Sequence, residues 1–165
     1  MITQTILFTK KECEDIINLA KIDYTHWKSK DRDFVSYSIY FSDETKWIFD
    51  KLKTYFEANT GKKIKKIKKN IHFHIFKKGC KFDIHNDLRE NRIYGVGTIL
   101  NDNFGGGDFK FYDENNTILN KTQGNTYIFN SNINHEITTI TDGIRYSMLW
   151  FIQSENIVIH HNSII

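Results

Sequence analysis

A chain of 165 residues has the length of one domain, and with 39% hydrophobic and 15% aromatic residues it can bury a core without staples. It has no apolar run of about 18 residues, which excludes a membrane-spanning helix, and its two cysteines cannot build a disulfide framework. The net charge of +3 is too small to demand a nucleic-acid partner.

The opening Met1-Ile2-Thr3-Gln4-Thr5 carries no basic stretch ahead of a long apolar one, so a cytoplasmic, reducing location is expected. Thr9-Lys10-Lys11-Glu12 has the spacing of a capping box. Cys13, Ile16, Ile17 and Ala20 then recur at helical spacing and define one apolar face, with Cys13 as a small core residue. Phe34–Phe41 is rich in β-formers and reads as a strand. Ser42 is expected to cap a second helix with Trp47, Ile48, Leu52 and Phe56 on its apolar side, and Gly61 to stop it.

After residue 62 the period changes from helical to alternating. Ile71, Phe73 and Ile75 alternate with His72 and His74, which predicts a strand whose histidines face outward. Further short strands are expected near Tyr94–Leu100, Asp108–Tyr112, Thr117–Leu119, Asn125–Phe129, Glu136–Thr141 and Ile144–Ile152. Turns at Gly79, Gly105-Gly106-Gly107, Glu114-Asn115-Asn116, Gly124 and Asp142-Gly143 separate them. Two helices followed by many short strands predict a mainly β sandwich or barrel with both helices on one outer face. The six lysines of Lys62–Lys69 have no interleaved aromatics, and they read as protection of an exposed strand edge rather than as a nucleic-acid patch.

The residues that carry chemistry are His85-Asn86-Asp87, His135 and Arg145. On an extended segment the histidine and aspartate of a H-x-D pair share one face, so an imidazole nitrogen and a carboxylate oxygen can reach one ion. A second histidine from a distant strand would complete two His and one carboxylate, a set that suits non-haem Fe(II) and leaves coordination positions open. Closed structural zinc sites prefer four ligands, usually with Cys, and neither Cys13 nor Cys80 has such spacing. His72-Phe73-His74 and His160-His161 are chance alternatives, and His26 reads as a surface or packing residue.

Ordered segments give the pair its context. They are Phe76-Lys77-Lys78-Gly79, Phe82-Asp83-Ile84-His85-Asn86-Asp87, Thr98 through Phe111 with its glycine triplet, Gly124-Asn125-Thr126-Tyr127-Ile128-Phe129, His135-Glu136, and Thr141-Asp142-Gly143-Ile144-Arg145-Tyr146-Ser147. This series resembles the 2-oxoglutarate- and Fe(II)-dependent oxygenases, and within them the prolyl-4-hydroxylase-like group, over about residues 70–152. The resemblance implies a double-stranded β-helix, or jelly roll. It implies one domain over 1–165, with helical support at 1–61, a catalytic core at 62–152 and a tail at 153–165. It also implies Fe(II) on His85, Asp87 and His135, with 2-oxoglutarate and O2 as co-substrates and ascorbate as an accessory reductant. Arg145 would hold the far carboxylate of 2-oxoglutarate, because a guanidinium fork meets a carboxylate with two parallel hydrogen bonds. Ser147, two residues on, shares its strand face.

This chain has Phe76 where family members often place a co-substrate-binding Tyr, and Tyr94, Thr98 or Tyr127 could supply the missing donor. Asp87 retains the carboxylate that related halogenases lack, so hydroxylation is expected. Arg89 and Arg92 are either substrate contacts or solvated loop residues, and Asn101 is a further substrate candidate. The implied reaction hydroxylates a prolyl residue in a peptide or protein and releases succinate and CO2. The alternatives are the same chemistry on a free amino acid, metabolite or nucleobase, and a metal-binding module without turnover. Specificity is expected in loops near residues 24–36, 88–93 and 101–107.

Overall fold

The computed structural model describes residues 2–22 and 34–158. In chain order these residues form β1 (Ile2–Ile6), α1 (Lys10–Ile22), β2 (Val35–Tyr40), α2 (Lys46–Thr60), β3 (Asn70–Phe76), β4 (Phe82–His85), β5 (Arg92–Ile99), β6 (Gly105–Gly106), β7 (Phe109–Phe111), β8 (Asn125–Asn130), β9 (His135–Ile137), β10 (Ile140–Asp142) and β11 (Arg145–Gln153). A 3-10 turn at Ser154–Asn156 follows. His26, His160, His161 and much of the 24–36 loop lie outside the described residues.

The expected capping box starts α1. The Thr9 amide donates to Glu12 Oε1 at 2.9 Å, and the Glu12 amide donates to Thr9 Oγ1 at 3.1 Å. Lys51 of α2 reaches the same carboxylate at 3.0 Å and ties the helices together. Ser42 does not cap α2 directly. Its side chain exchanges hydrogen bonds with Thr45 across a turn, and the helix begins after Thr45. Gly61 ends it at φ 68°, a left-handed conformation that costs a residue without a Cβ little. Packing holds the helices in place. Ile16, Ile48, Phe49, Leu52 and Phe56 are fully buried, each worth roughly 1.5–3 kcal/mol, against a few tenths for surface pairs such as Lys11–Asp15.

The large sheet is antiparallel with strand order β1-β8-β5-β11-β3-β2. A three-stranded sheet, β4-β9-β7, and the pair β10-β6 form the smaller layer. Strand alternation divides the large sheet between two cores. Ile71, Phe73, Val96, Ile128, Met148 and Trp150 pack under the helices. Phe76, Ile99, Tyr127, Phe129, Leu149 and Phe151 point the other way and meet Phe109, Phe111, Ile137 and Ile140 of the smaller layer. This is a jelly roll with helices on one outer face. No helix among the described residues is long and apolar enough to cross a membrane.

Three local expectations are corrected. His72 and His74 do not face outward. Both faces of the large sheet are covered, so the side of β3 opposite the helices is the inside of the jelly roll, and both histidines line its cavity. Lys62–Lys69 is not a strand edge. It is an irregular connection pinned by the Ile64–Ile157 bridge, by Lys65 and Lys66 amides donating to Asn156 O, and by Trp150 Nε1 donating to Lys68 O at 2.8 Å. The glycine triplet is more than a turn, because Gly105 and Gly106 pair with β10. A Cβ on Gly106 would lie 2.1 Å from Thr139 O, so only glycine permits that approach.

Candidate active site

His85 ends β4 and His135 begins β9, and the two are directly opposite in the β4–β9 register. Asp87 follows two residues after His85, and its amide donates to Ser131 O at 2.9 Å, which turns the carboxylate toward both rings. One ligand atom from each residue lies within 4.8 Å of the others. His85 Nε2 is 3.7 Å from Asp87 Oδ1, and His135 Nε2 is 3.3 Å from Asp87 Oδ2. Ligands set at right angles about 2.1 Å from a metal stand about 3 Å apart, so small rotations suffice for one ion.

The second nitrogen of each ring is already engaged. His85 Nδ1 lies 2.6 Å from Asp83 O, and His135 Nδ1 lies 2.9 Å from Ile133 O. A carbonyl only accepts, so each Nδ1 carries a proton and each Nε2 is the nitrogen turned toward the site. Burial desolvates Asp87 and pushes its carboxyl up, but the hydrogen bond and charge of His135, with His85 and Arg92, outweigh this and hold it below its ordinary value. The donor set is therefore two imidazole nitrogens and one carboxylate.

Arg145 lies at the start of β11 and is fully buried. Its Nη1 donates to Ser147 Oγ at 2.8 Å, while Nε and Nη2 have no hydrogen-bond partner. No acidic side chain pairs with it among the described residues. Desolvation lowers the guanidinium pKa, and the Tyr127 hydroxyl beside it acts in the opposite direction. Burial pushes that phenol up to about 12, so it is a neutral donor. Phe76 is the register partner of Arg145, with its ring centroid 5.5 Å from the guanidinium carbon. A buried cation with two unsatisfied donors, flanked by a serine and a tyrosine hydroxyl, fits a carboxylate ligand.

The other predicted residues fall elsewhere. Tyr94 packs on Phe56 under the helices, and Thr98 bonds Thr126 Oγ1 at 2.8 Å on the same side. Both occupy even positions of β5, whereas the odd positions face the site, so neither can replace the tyrosine missing at Phe76. Tyr127 instead places its hydroxyl beside Arg145 in the cavity lining, and two glycines make room for it. A Cβ on Gly97 would lie 2.4 Å from the Tyr127 hydroxyl, and one on Gly95 would lie 2.4 Å from the Phe129 ring. Glycines at alternate positions of a predicted strand are a sequence signal for large side chains lying across the neighbouring strand. Asn101 is corrected as well. Its amide bonds Ile144 O, Asn103 Oδ1 and the Tyr146 amide, which closes the loop ahead of β11 and leaves it no part in the cavity. Arg89 and Arg92 do line the cavity, together with Ser147, His72 and His74.

The model of the 2OG-Fe(II) oxygenase superfamily matches residues 71–153, the span from β3 to the end of β11 that contains every one of these groups. The chain belongs to this superfamily. Solved structures of similar fold include a 2OG-Fe(II) oxygenase family oxidoreductase from Burkholderia pseudomallei (TM-score 0.76, 15% identity, covering 94% of this chain and 85% of that one). A Pseudomonas putida prolyl-4-hydroxylase aligns with TM-score 0.73 and 14% identity over 92% of each chain. A Trichoplax adhaerens prolyl hydroxylase, in complex with a hypoxia inducible factor oxygen degradation domain peptide fragment, aligns with TM-score 0.74 and 15% identity over 94% of this chain and 84% of that one. At these identities the likeness is one of fold. No curated protein matches the sequence. For a 2OG-Fe(II) oxygenase the donor set and the buried arginine fall into one frame, with a metal-ligand cluster and a buried cation on the same jelly-roll interior.

Proposed function

We propose that this oxygenase hydroxylates a C–H bond of a prolyl residue in a peptide or protein, consuming 2-oxoglutarate and O2 and releasing succinate and CO2. The observation that carries the reaction class is the pairing of the His85, Asp87 and His135 cluster with Arg145, a buried cation that has no acidic partner among the described residues. The prolyl assignment is supported by the fold shared with prolyl hydroxylases from Pseudomonas putida and Trichoplax adhaerens.

In this reading the two Nε2 atoms and the Asp87 carboxylate hold Fe(II). The backbone carbonyls of Asp83 and Ile133 keep both rings in the metal-binding tautomer. When bound, Fe(II) supplies O2 activation coupled to decarboxylation of the oxo acid, which furnishes the oxidising power for C–H hydroxylation. Arg145 anchors the distal carboxylate of the co-substrate through its two free donors, and Ser147 and Tyr127 fix the orientation of the fork. Phe82, Phe109, Ile137 and Leu149 line the cavity and exclude water. Ascorbate serves as an accessory reductant, and no side chain is needed as a general acid or base.

The test is succinate release with Fe(II) and 2-oxoglutarate over proline-containing peptide libraries, followed by mass spectrometry for a gain of one oxygen. His85→Ala is the control. Succinate and oxidised prolyl residues, both lost in His85→Ala, are expected. Oxidation confined to free amino acids, metabolites or nucleobases would overturn the prolyl assignment. Absence of succinate across all panels would overturn the oxygenase activity.

A further inference from the structure

The inner face of β11 carries Arg145, Ser147, Leu149 and Phe151 in alternation. From Arg145 to Phe151 a strand runs about 20 Å, and a second arginine stands at the far end. The Arg92 guanidinium carbon lies 3.8 Å from the Phe151 ring centroid, and its side chain is only 8% exposed. The His72 ring centroid is 5.5 Å from the same phenylalanine, and His74 follows on the strand face. Arg89 lines the cavity beside them. Two of the chain's four arginines thus line one cavity, and a third, Arg145, donates to its lining Ser147, in a protein with 19 lysines. Among the described residues Asp87 is the only carboxylate lining that cavity, and it belongs to the ligand cluster. Glu90 meets Arg92 Nη2 at 3.2 Å, but its side chain is 63% exposed and it is not among the cavity-lining residues.

The segment that delivers these arginines is held in place. Glu90 and Asn91 adopt φ of 53° and 57° in a turn closed by the Arg92 amide donating to Arg89 O at 3.0 Å. For a glutamate this left-handed conformation costs about 1–2 kcal/mol. Two bonds from the end of β11 and the residue after it keep it: Gln153 Nε2 to Glu90 O at 2.8 Å, and the Ser154 amide to Asn91 O at 2.9 Å. Strained backbone persists where surrounding contacts over-determine it, and such places cluster at ligand clamps.

The geometry points to a second anion subsite, built by Arg92 with Arg89 and His72, that receives a carboxylate or phosphate group carried by the substrate. It rests on the oxygenase reading, in which the Arg145 end of the same cavity takes the co-substrate. A guanidinium stacked on an aromatic ring offers its edge to a planar or tetrahedral oxyanion. The substrate is then an acidic one, and its anionic group sets which C–H bond lies at the metal.

The test uses imidazole NMR of the full chain carrying Zn(II) and saturating 2-oxoglutarate, so that the ligand cluster and Arg145 are occupied. Calorimetry first reads 2-oxoglutarate binding. Sodium acetate and sodium phosphate are then titrated separately at an ionic strength held with chloride, with acetamide as the neutral control. We expect saturable shifts of the His72 and His74 resonances with one or both anions and none with acetamide. The affinity should fall at least fivefold in Arg92→Met. The acetate and phosphate arms tell a carboxylate substrate from a phosphorylated one. Linear, chloride-like shifts, or an unchanged affinity in Arg92→Met, would overturn the subsite while leaving the oxygenase reading intact. Failure to bind 2-oxoglutarate would overturn both. Should Arg92→Met not fold by circular dichroism, the wild-type titration decides by whether its shifts saturate.

Discussion

Arg145→Met should make the protein more stable and inactive at once. In the folded chain without co-substrate, Nε and Nη2 of Arg145 are buried without partners, at a cost of about 1–3 kcal/mol for each group. Methionine keeps much of the apolar stem and removes the charge. The change also deletes the Ser147 bond and the Phe76 ring contact, together worth about 1.5–2 kcal/mol. At the middle of these ranges the balance favours the variant by about 2 kcal/mol, or a rise in melting temperature of several degrees for a chain of this size. 2-Oxoglutarate binding should move the opposite way. Loss of a buried, hydrogen-bonded charge pair costs about 2–5 kcal/mol, at least a thirtyfold weakening. Thermal melts with and without 2-oxoglutarate, in the presence of Mn(II), read both quantities together. The wild type should melt higher with co-substrate and the variant should not respond. A variant that is less stable without co-substrate, and still stabilised by it, would refute the assignment of Arg145 as a carboxylate anchor.

Tyr127→Phe should weaken 2-oxoglutarate about tenfold by calorimetry with metal binding unchanged, and an unaltered affinity would remove Tyr127 from the site. Gly97→Ala places a Cβ 2.4 Å from the Tyr127 hydroxyl, with both sides buried, so urea unfolding should report a loss of about 1–3 kcal/mol. A neutral result would mean that β5 and β8 are not apposed as described. Burial pushes the Cys13 thiol and the Tyr127 phenol up to about 12, from ordinary values of 9.0 and 10.0. The folded state keeps these protons where the unfolded chain releases them, so stability is full below about pH 9 and falls as pH rises toward 12. Urea midpoints between pH 8 and 11 should decline, and less steeply in Cys13→Ala. A flat profile would contradict the burial of both groups.

The reaction class was legible because its residues are carried by local spacing. His85 and Asp87 share a face by strand periodicity alone, and Arg145 stands out in an arginine-poor chain. A mainly β sandwich or barrel followed from short strands and glycine-bearing turns, and the family resemblance narrowed it to a jelly roll. β1 escaped notice because its Ile2–Ile6 run is too short and too exposed to signal a strand, and its pairing with β8 decides it. Tyr94, Thr98 and Asn101 were misplaced for a related reason. Periodicity says which residues share a face, but not which face looks into the cavity. His72 and His74 erred in the same way, because the expectation gave the sheet one covered face where it has two. Arg89 and Arg92 could be seen as neighbours of the H-x-D pair, but the ring that orients Arg92 arrives from Phe151, far along the chain.

The direct opposition of His85 and His135 bears on how long the protein survives. These residues sit on strands separated by β5 through β8, and their pairing is part of a small sheet with an irregular register. An ion held by both is a reversible crosslink that closes a long loop, comparable in effect to a disulfide. Iron-replete protein should therefore resist proteolysis between β4 and β9, while iron-starved protein should be cut there first. Metal supply would then govern how long the enzyme survives as well as how fast it turns over.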